Sequence, residues 1–162
     1  MKFLKNYIKK NYKYLLLFLC FIIITQYIKT YICFERITGI SMNPTYKNGE
    51  IKIGIGKFKQ DDIKHNSVVI FNNKNTKNYD YIKRVIGLPG DTLIIKNGYV
   101  YINDKKYEEF DDFEQIKNAG IASEKILIPK NCYFVMGDNR NNSKDSRSFG
   151  VIKYSDIKYI IK

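Results

Sequence analysis

One histidine and three scattered cysteines are all the soft metal ligands this 162-residue chain contains. Without a Cys/His cluster there are too few ligands for a zinc site. The cysteines do not form a disulfide framework either: Cys20 lies inside an apolar run, Cys33 at its far end and Cys132 in an expected strand. They read as small buried hydrophobes. Repeats and low-complexity linkers are missing, and no long amphipathic helical pattern follows the N-terminal apolar run. Subtracting that run leaves about 130 residues, enough for one domain with a real core.

Acid is scarce where base is abundant. Lys and Arg total 28 against 16 Asp and Glu, a net charge of +12, which permits attraction to anionic lipid or to nucleic acid. Lys2, Lys5, Lys9, Lys10 and Lys13 precede the apolar run with no acid among them, and this favours lipid. Residues 14–28 are uncharged, 15 in all, or about 22 Å as a helix, short of a hydrocarbon core of about 30 Å. If Lys29 snorkels and the count continues through Phe34, the span reaches 21 residues, about 31 Å. A cleaved signal peptide would also have a basic start and a short apolar run. No A-x-A-like pair of small residues follows Ile24, however, and the chain continues Thr25-Gln26-Tyr27-Ile28-Lys29, so a retained anchor is the preferred reading. The expected division is a cytoplasmic basic segment (1–13), a transmembrane anchor (14–34) and an extracytoplasmic domain (35–162), oriented by the lysines inside.

Beyond the anchor, short β-branched and aromatic runs are punctuated by Gly, Asn, Asp and Pro. Strands are expected at 50–54, 67–71, 81–86, 92–96, 99–102, 125–128, 133–136 and 157–161. Asn97-Gly98 supplies the strongest hairpin signal, because a type I′ turn needs two residues tolerant of positive φ. The domain is therefore expected to be mainly β and antiparallel. Glu108, Glu109, Asp111, Asp112 and Glu114 read as a solvated acidic segment between strands, since nothing beside them is placed as a partner.

Three segments concentrate polar chemistry. The first is Ser41-Met42-Asn43-Pro44-Thr45, the second Tyr81-Ile82-Lys83-Arg84-Val85-Ile86-Gly87-Leu88-Pro89-Gly90-Asp91, and the third GDNRNNSKDSRSFG at 137–150. The third has the turn-formers of a site loop. It is not a calcium loop: counted from Asp138, its third, sixth and twelfth positions are Arg140, Ser143 and Phe149, not an oxygen ligand, a glycine and an acid. Ser41 before Asn-Pro-Thr fits a turn or cap as well as a nucleophile. A serine nucleophile needs a base, and His65, the one histidine, reads as an exposed loop residue. The alternative base is a lysine. An ordinary lysine, with a pKa near 10.4, is well under a thousandth deprotonated at pH 7, whereas burial lowering it to around 8 would make it usable. Lys83 lies in a strongly apolar strand, with Arg84 on the opposite face. Both also suit an edge strand guarded against aggregation.

In this order, behind an apolar segment, the three segments resemble the motif boxes of type I signal peptidases, the membrane-anchored serine proteases that remove signal peptides from exported proteins. The resemblance runs from the anchor to nearly the last residue. It implies an antiparallel β catalytic domain behind one transmembrane helix, with Ser41 as nucleophile and Lys83 as general base. It further implies that Arg84 pairs with Asp138, that Ser143 hydrogen-bonds the lysine amine, and that Asp145 and Arg147 form a bracing salt bridge. The Ser41 backbone N–H would be one oxyanion donor. Gly39 stands where some members carry a hydroxyl donor, which leaves the second donor open. Ile37, Met42, Tyr81 and Ile82 would line shallow pockets for small residues one and three positions before the cut. No metal or organic cofactor is implied; the partners would be secretory preproteins and membrane lipid, not nucleic acid. The match suggests a compact bacterial member without large inserted subdomains. Two alternatives stay open: a dedicated enzyme for a few pilin-like or conjugation proteins, and a non-catalytic, membrane-tethered β module that binds lipid or cell-wall polymer.

Overall fold

The computed structural model describes residues 2–72, 79–107 and 113–162. It opens with helix α1 (Lys2–Tyr31), whose stretch Lys10–Ile28 has a mean hydropathy of 1.4 and is long and apolar enough to cross a membrane. Its apolar side chains are exposed all round, Leu17, Phe18 and Ile23 among them, as suits a helix surrounded by lipid rather than packed in a core. The helix ends three residues before the expected limit of the anchor. Ile32, Cys33 and Phe34 belong instead to strand β1 (Ile32–Arg36), paired with Ile55, Gly54 and Ile53 of β2 (Ile51–Ile55). The physical reason is that strand pairing satisfies the backbone of 32–34 within the domain.

The chain continues through β3 (Val68–Asn72), β4 (Asp80–Gly87), β5 (Thr92–Lys96), β6 (Tyr99–Ile102), β7 (Lys105–Lys106) and β8 (Ile126–Leu127). It closes with β9 (Cys132–Met136), the one-turn helix α2 (Ser146–Phe149), β10 (Ile152–Lys153) and β11 (Ile157–Ile161). Among the described residues these strands form a seven-stranded sheet in the order β1-β2-β11-β3-β4-β9-β10 and a four-stranded sheet in the order β7-β6-β5-β8. All the pairings are antiparallel, so the mainly β, antiparallel fold expected behind one N-terminal apolar helix is what the molecule adopts. All eight expected strands are present, although 125–128 shrinks to Ile126–Leu127. The β5–β6 hairpin turns at Asn97 and Gly98 with φ of 51° and 81°, the two positive values a type I′ turn demands. Of the acidic segment, 108–112 lies outside the described residues; Glu114 is exposed.

Strand β4 organises the domain. It is buried from Ile82 to Gly87 between β3 and β9, and its register against β9 shifts between Val85 and Gly87, a bulge that gives Ile86 no partner and bends the strand. One core, including Ile86, Leu93 and Phe134, joins the small sheet to β4 and β9. A second gathers Val69, Phe71, Val85 and Val135, and a third holds Ile37, Met42, Val68, Ile70, Ile82 and Ile161. The third core is the floor beneath the functional groups.

Candidate active site

Ser41 lies in a turn just beyond β1. The turn is closed by bonds from Asn43 N to Ile40 O (3.1 Å) and from Tyr46 N to Met42 O (2.9 Å). Met42, 1% exposed, is driven into the third core, and that burial fixes the neighbouring serine. From the other side, Asn139 N donates to Ser41 O (3.0 Å) and Asn139 Nδ2 to Ile40 O (3.2 Å), clasping the 137–142 loop to the serine turn. Gly137 permits that approach: a β-carbon there would run into Ser143 Oγ and sit 2.5 Å from both Ser143 Cβ and the Ser41 carbonyl oxygen.

Lys83 and Arg84 are consecutive on the regular part of β4, so their side chains leave opposite faces of the strand. Lys83 Nζ reaches Ser41 Oγ at 2.7 Å and donates to Ile82 O at 2.8 Å. Burial lowers its pKa from 10.5 to about 8, although the negative charges of Asp145 and Asp138 work in the opposite direction. A lysine held near 8 is neutral about a tenth of the time at pH 7. When neutral, it is an acceptor for the Ser41 hydroxyl proton.

Arg84 Nε and Nη2 donate to the two oxygens of Asp138 at 2.8 and 2.7 Å, and Nη1 donates to Asn66 O at 2.9 Å. Burial disfavours its charge, but the bonds and charge of Asp138 outweigh that and hold its pKa above the usual value. The second pair has the same bidentate form: Arg147 Nε and Nη2 donate to Asp145 at 2.8 Å each. Asp145 also caps α2 and accepts Gly137 N (2.9 Å), so the pair ties the loop to the strand end that carries Asp138.

Ser143 differs from the implied arrangement, and Gly39 leaves the second oxyanion donor open. Ser143 Oγ is buried without a hydrogen-bond partner among the described residues, while the Lys83 amine is bonded to Ser41 and Ile82 instead. Physically, Ser143 is held against Gly137 and Ser41 O by packing, beside the dyad rather than bonded to it. Gly39, at φ 87°, donates its N–H to Asn48 Oδ1 (2.9 Å), so that N–H is not an oxyanion donor in this arrangement. The Ser41 N–H has no acceptor among the described residues, as a donor reserved for an oxyanion requires. His65 is half-buried rather than exposed, and its Nε2 lies 2.9 Å from Asp91 Oδ2. Asp91 also accepts from Leu88 N and Asn103, so the histidine is engaged at the β4–β5 turn, away from Ser41.

Ser41 and Lys83 open into a groove of about 790 Å³, with Ile37, Met42, Tyr81 and Ile82 along it. All four expected pocket residues therefore share one depression with the dyad. The salt bridge Lys158–Asp80 (2.8 Å) and Lys144 stand on its walls. Sequence reasoning missed Arg140 and also Asn139, whose bond to Ile40 O reaches back 99 residues. Arg140 Nε donates to Gly137 O (3.1 Å), and its guanidinium covers the Phe113 ring at 4.5 Å.

A serine hydroxyl against a buried lysine amine, with an unengaged backbone N–H on the serine, is the equipment of a serine hydrolase that works without histidine. The family model described as signal peptidase, peptidase S26, matches residues 8–159. Signal peptidase IB of Staphylococcus aureus strain COL is 40% identical over 137 residues, 75% of this chain and 71% of the relative. Signal peptidase I P of Bacillus subtilis subsp. natto is 38% identical over 151 residues, 87% of this chain and 78% of the relative. The crystal structure of a signal peptidase I from Enterococcus faecalis V583 aligns with a TM-score of 0.49 at 25% identity, covering 61% of this chain and 96% of that one. The chain belongs to the signal peptidase family, peptidase S26, whose members are proteases that cut signal peptides from preproteins.

Proposed function

We propose that this chain is a membrane-anchored endopeptidase that removes signal peptides from exported preproteins, with Ser41 as nucleophile and Lys83 as general base. The observation that carries the reading is the 2.7 Å contact between Lys83 Nζ and Ser41 Oγ at a lysine whose pKa burial lowers to about 8. Neutral Lys83 takes the Ser41 proton as Oγ attacks the scissile carbonyl, and the ammonium then gives that proton to the leaving amine. Water attacks the resulting ester by the same exchange, releasing Ser41 and the signal peptide. The Ser41 N–H is the oxyanion donor. Arg84 with Asp138, and Asp145 with Arg147, hold the strand ends and the loop in place; Ser143 and Gly39 shape the surroundings of the dyad. Ile37, Met42, Tyr81 and Ile82 receive the small residues before the cut.

In this reading residues 1–13 are cytoplasmic, α1 is the anchor, and the domain from 35 onward works on the extracytoplasmic face, as the lysine-rich start favours. The non-catalytic alternative gives no reason for an amine left short of carboxylates beside a serine. Incubating the full chain in detergent or lipid with one preprotein should yield a product whose new N-terminus follows a small residue. An intact preprotein after prolonged incubation at pH 8 to 9 would refute the proposal.

A further inference from the structure

The Ser41 turn has two sides, and the groove of the dyad occupies only one. On the other lies a second depression of about 420 Å³, bordered by Ile40, Asn43, Pro44, Lys47, Asn48 and Asn139. It borders the Ser41 turn, because Ile40, Asn43 and Asn139, which bonds Ser41 O and Ile40 O, form part of its wall. Of its charges, Asp138 is held by Arg84, Arg140 lies against Gly137 O and Phe113, Glu114 accepts from Asn141 Nδ2, and Lys47 is exposed at the rim. Two border amides have bonding capacity to spare. The half-buried Asn43 side chain has no hydrogen-bond partner among the described residues, and Asn48 uses Oδ1 for Gly39 N, leaving Nδ2 without an acceptor.

Side-chain amides carry both donor and acceptor, the same complement as a peptide unit. Two of them along a groove can bond the main chain of an extended peptide whatever its side chains are. A segment of three residues spans about 10 Å, which suits a pocket of this size. The contrast with the first groove is chemical: Ile37, Met42 and Ile82 select side chains by apolar fit, whereas an amide border does not.

We propose that this second groove is the leaving-side subsite, where Asn43 and Asn48 hold the backbone of the first residues after the scissile bond in extended form. The assignment rests on the reading of Ser41 as nucleophile and of the first groove as the seat of the signal peptide. It gives the enzyme a grip on the mature end that is indifferent to that end's sequence, so that proteins with unrelated N-termini are held in register for Lys83 to protonate the departing amine.

The test compares two substrates with the same signal-peptide end, cut by the full-length protein in detergent. One ends at the scissile bond in a small aromatic amine reporter; the other continues for four residues as a quenched peptide. Wild type should prefer the extended substrate in kcat/KM by about tenfold, the worth of one or two net hydrogen bonds. The preference ratio should fall severalfold in Asn43→Leu, and methylating the leaving-side backbone amides should cut it likewise in wild type. Free tetrapeptide of the mature end should inhibit competitively, and more weakly against Asn43→Leu. A wild-type ratio near one, or a ratio unmoved by Asn43→Leu in a protein whose folding circular dichroism confirms, overturns the subsite while leaving the dyad standing. Cleavage of both substrates by Ser41→Ala would instead remove the parent reading, and the subsite with it.

Discussion

Lys83 and Arg84 are neighbours on one strand, 3% and 6% exposed, yet their surroundings drive their charges in opposite directions. Arg84 meets both oxygens of Asp138 and stays charged. Lys83 meets a hydroxyl and a carbonyl, and its pKa falls to about 8. The nearby carboxylates do act on it, but each is already bonded to an arginine. Burial alone therefore does not neutralise a cation; burial with the carboxylates given to other partners does.

The comparison breaks most completely at the dyad itself. Ser41→Ala and Lys83→Ala should each lower preprotein cleavage by about 10⁴-fold or more, because the two groups act as a unit. Lys83→Arg should do the same, since a guanidinium cannot give up its proton. Gel assays on variants with unchanged circular dichroism decide this, and turnover within tenfold of wild type in any of the three would end the Ser-Lys mechanism.

Asp138→Asn attacks the opposite member. It leaves Arg84 buried without its counter-charge and should cost about 3–5 kcal/mol, seen as a lower urea midpoint. If stability is unchanged, the pair does not brace the strand.

Lys83 should behave in the reverse sense. Its folded pKa lies below its unfolded value, so the penalty for burying the ammonium is complete below about pH 8 and disappears as pH rises from there to 10.5. Lys83→Met should therefore raise stability at pH 7 by up to about 3 kcal/mol, with the gain shrinking towards pH 10. Over the same range, wild-type kcat/KM should climb along a limb with an apparent pKa near 8. A stability difference independent of pH would contradict the depressed pKa.

The smallest effect is expected at His65. It is bound to Asp91 and away from Ser41, so His65→Ala should keep cleavage within about twofold, the ordinary range for a residue outside the reacting unit. Loss of cleavage in that variant would restore a histidine base.

Much of this was legible in the sequence because period-2 patterning and turn residues are local signals. Asn97-Gly98 and the runs at 92–96 and 157–161 needed no tertiary context. Strand β1 was hidden because Ile32, Cys33 and Phe34 continue an apolar run, and apolarity does not distinguish the last turn of a helix from a strand. Strands β7 and β10 have two residues each, too few to show a period. At the site, Ser41 and Lys83 stand out through the resemblance of their segments to the family's motif boxes, because residue type alone suits a turn and an edge strand equally well. The missing bond of Ser143 and the clasp of Asn139 depend on how one loop seats against another across about a hundred residues of chain, for which residue type carries no signal.

The junction between α1 and β1 has no slack. Gly56 N bonds Tyr31 O at 2.8 Å, and Lys57 Nζ bonds Tyr31 Oη at 3.1 Å while standing 4.4 Å from the centre of that ring. With α1 spanning the bilayer as proposed, the catalytic groove is not on a tether but on a bracket. In that proposed setting the enzyme would act as a gauge of height: of all the bonds in a translocating chain that follow a small residue, it would reach those that the substrate's own membrane segment holds level with Ser41.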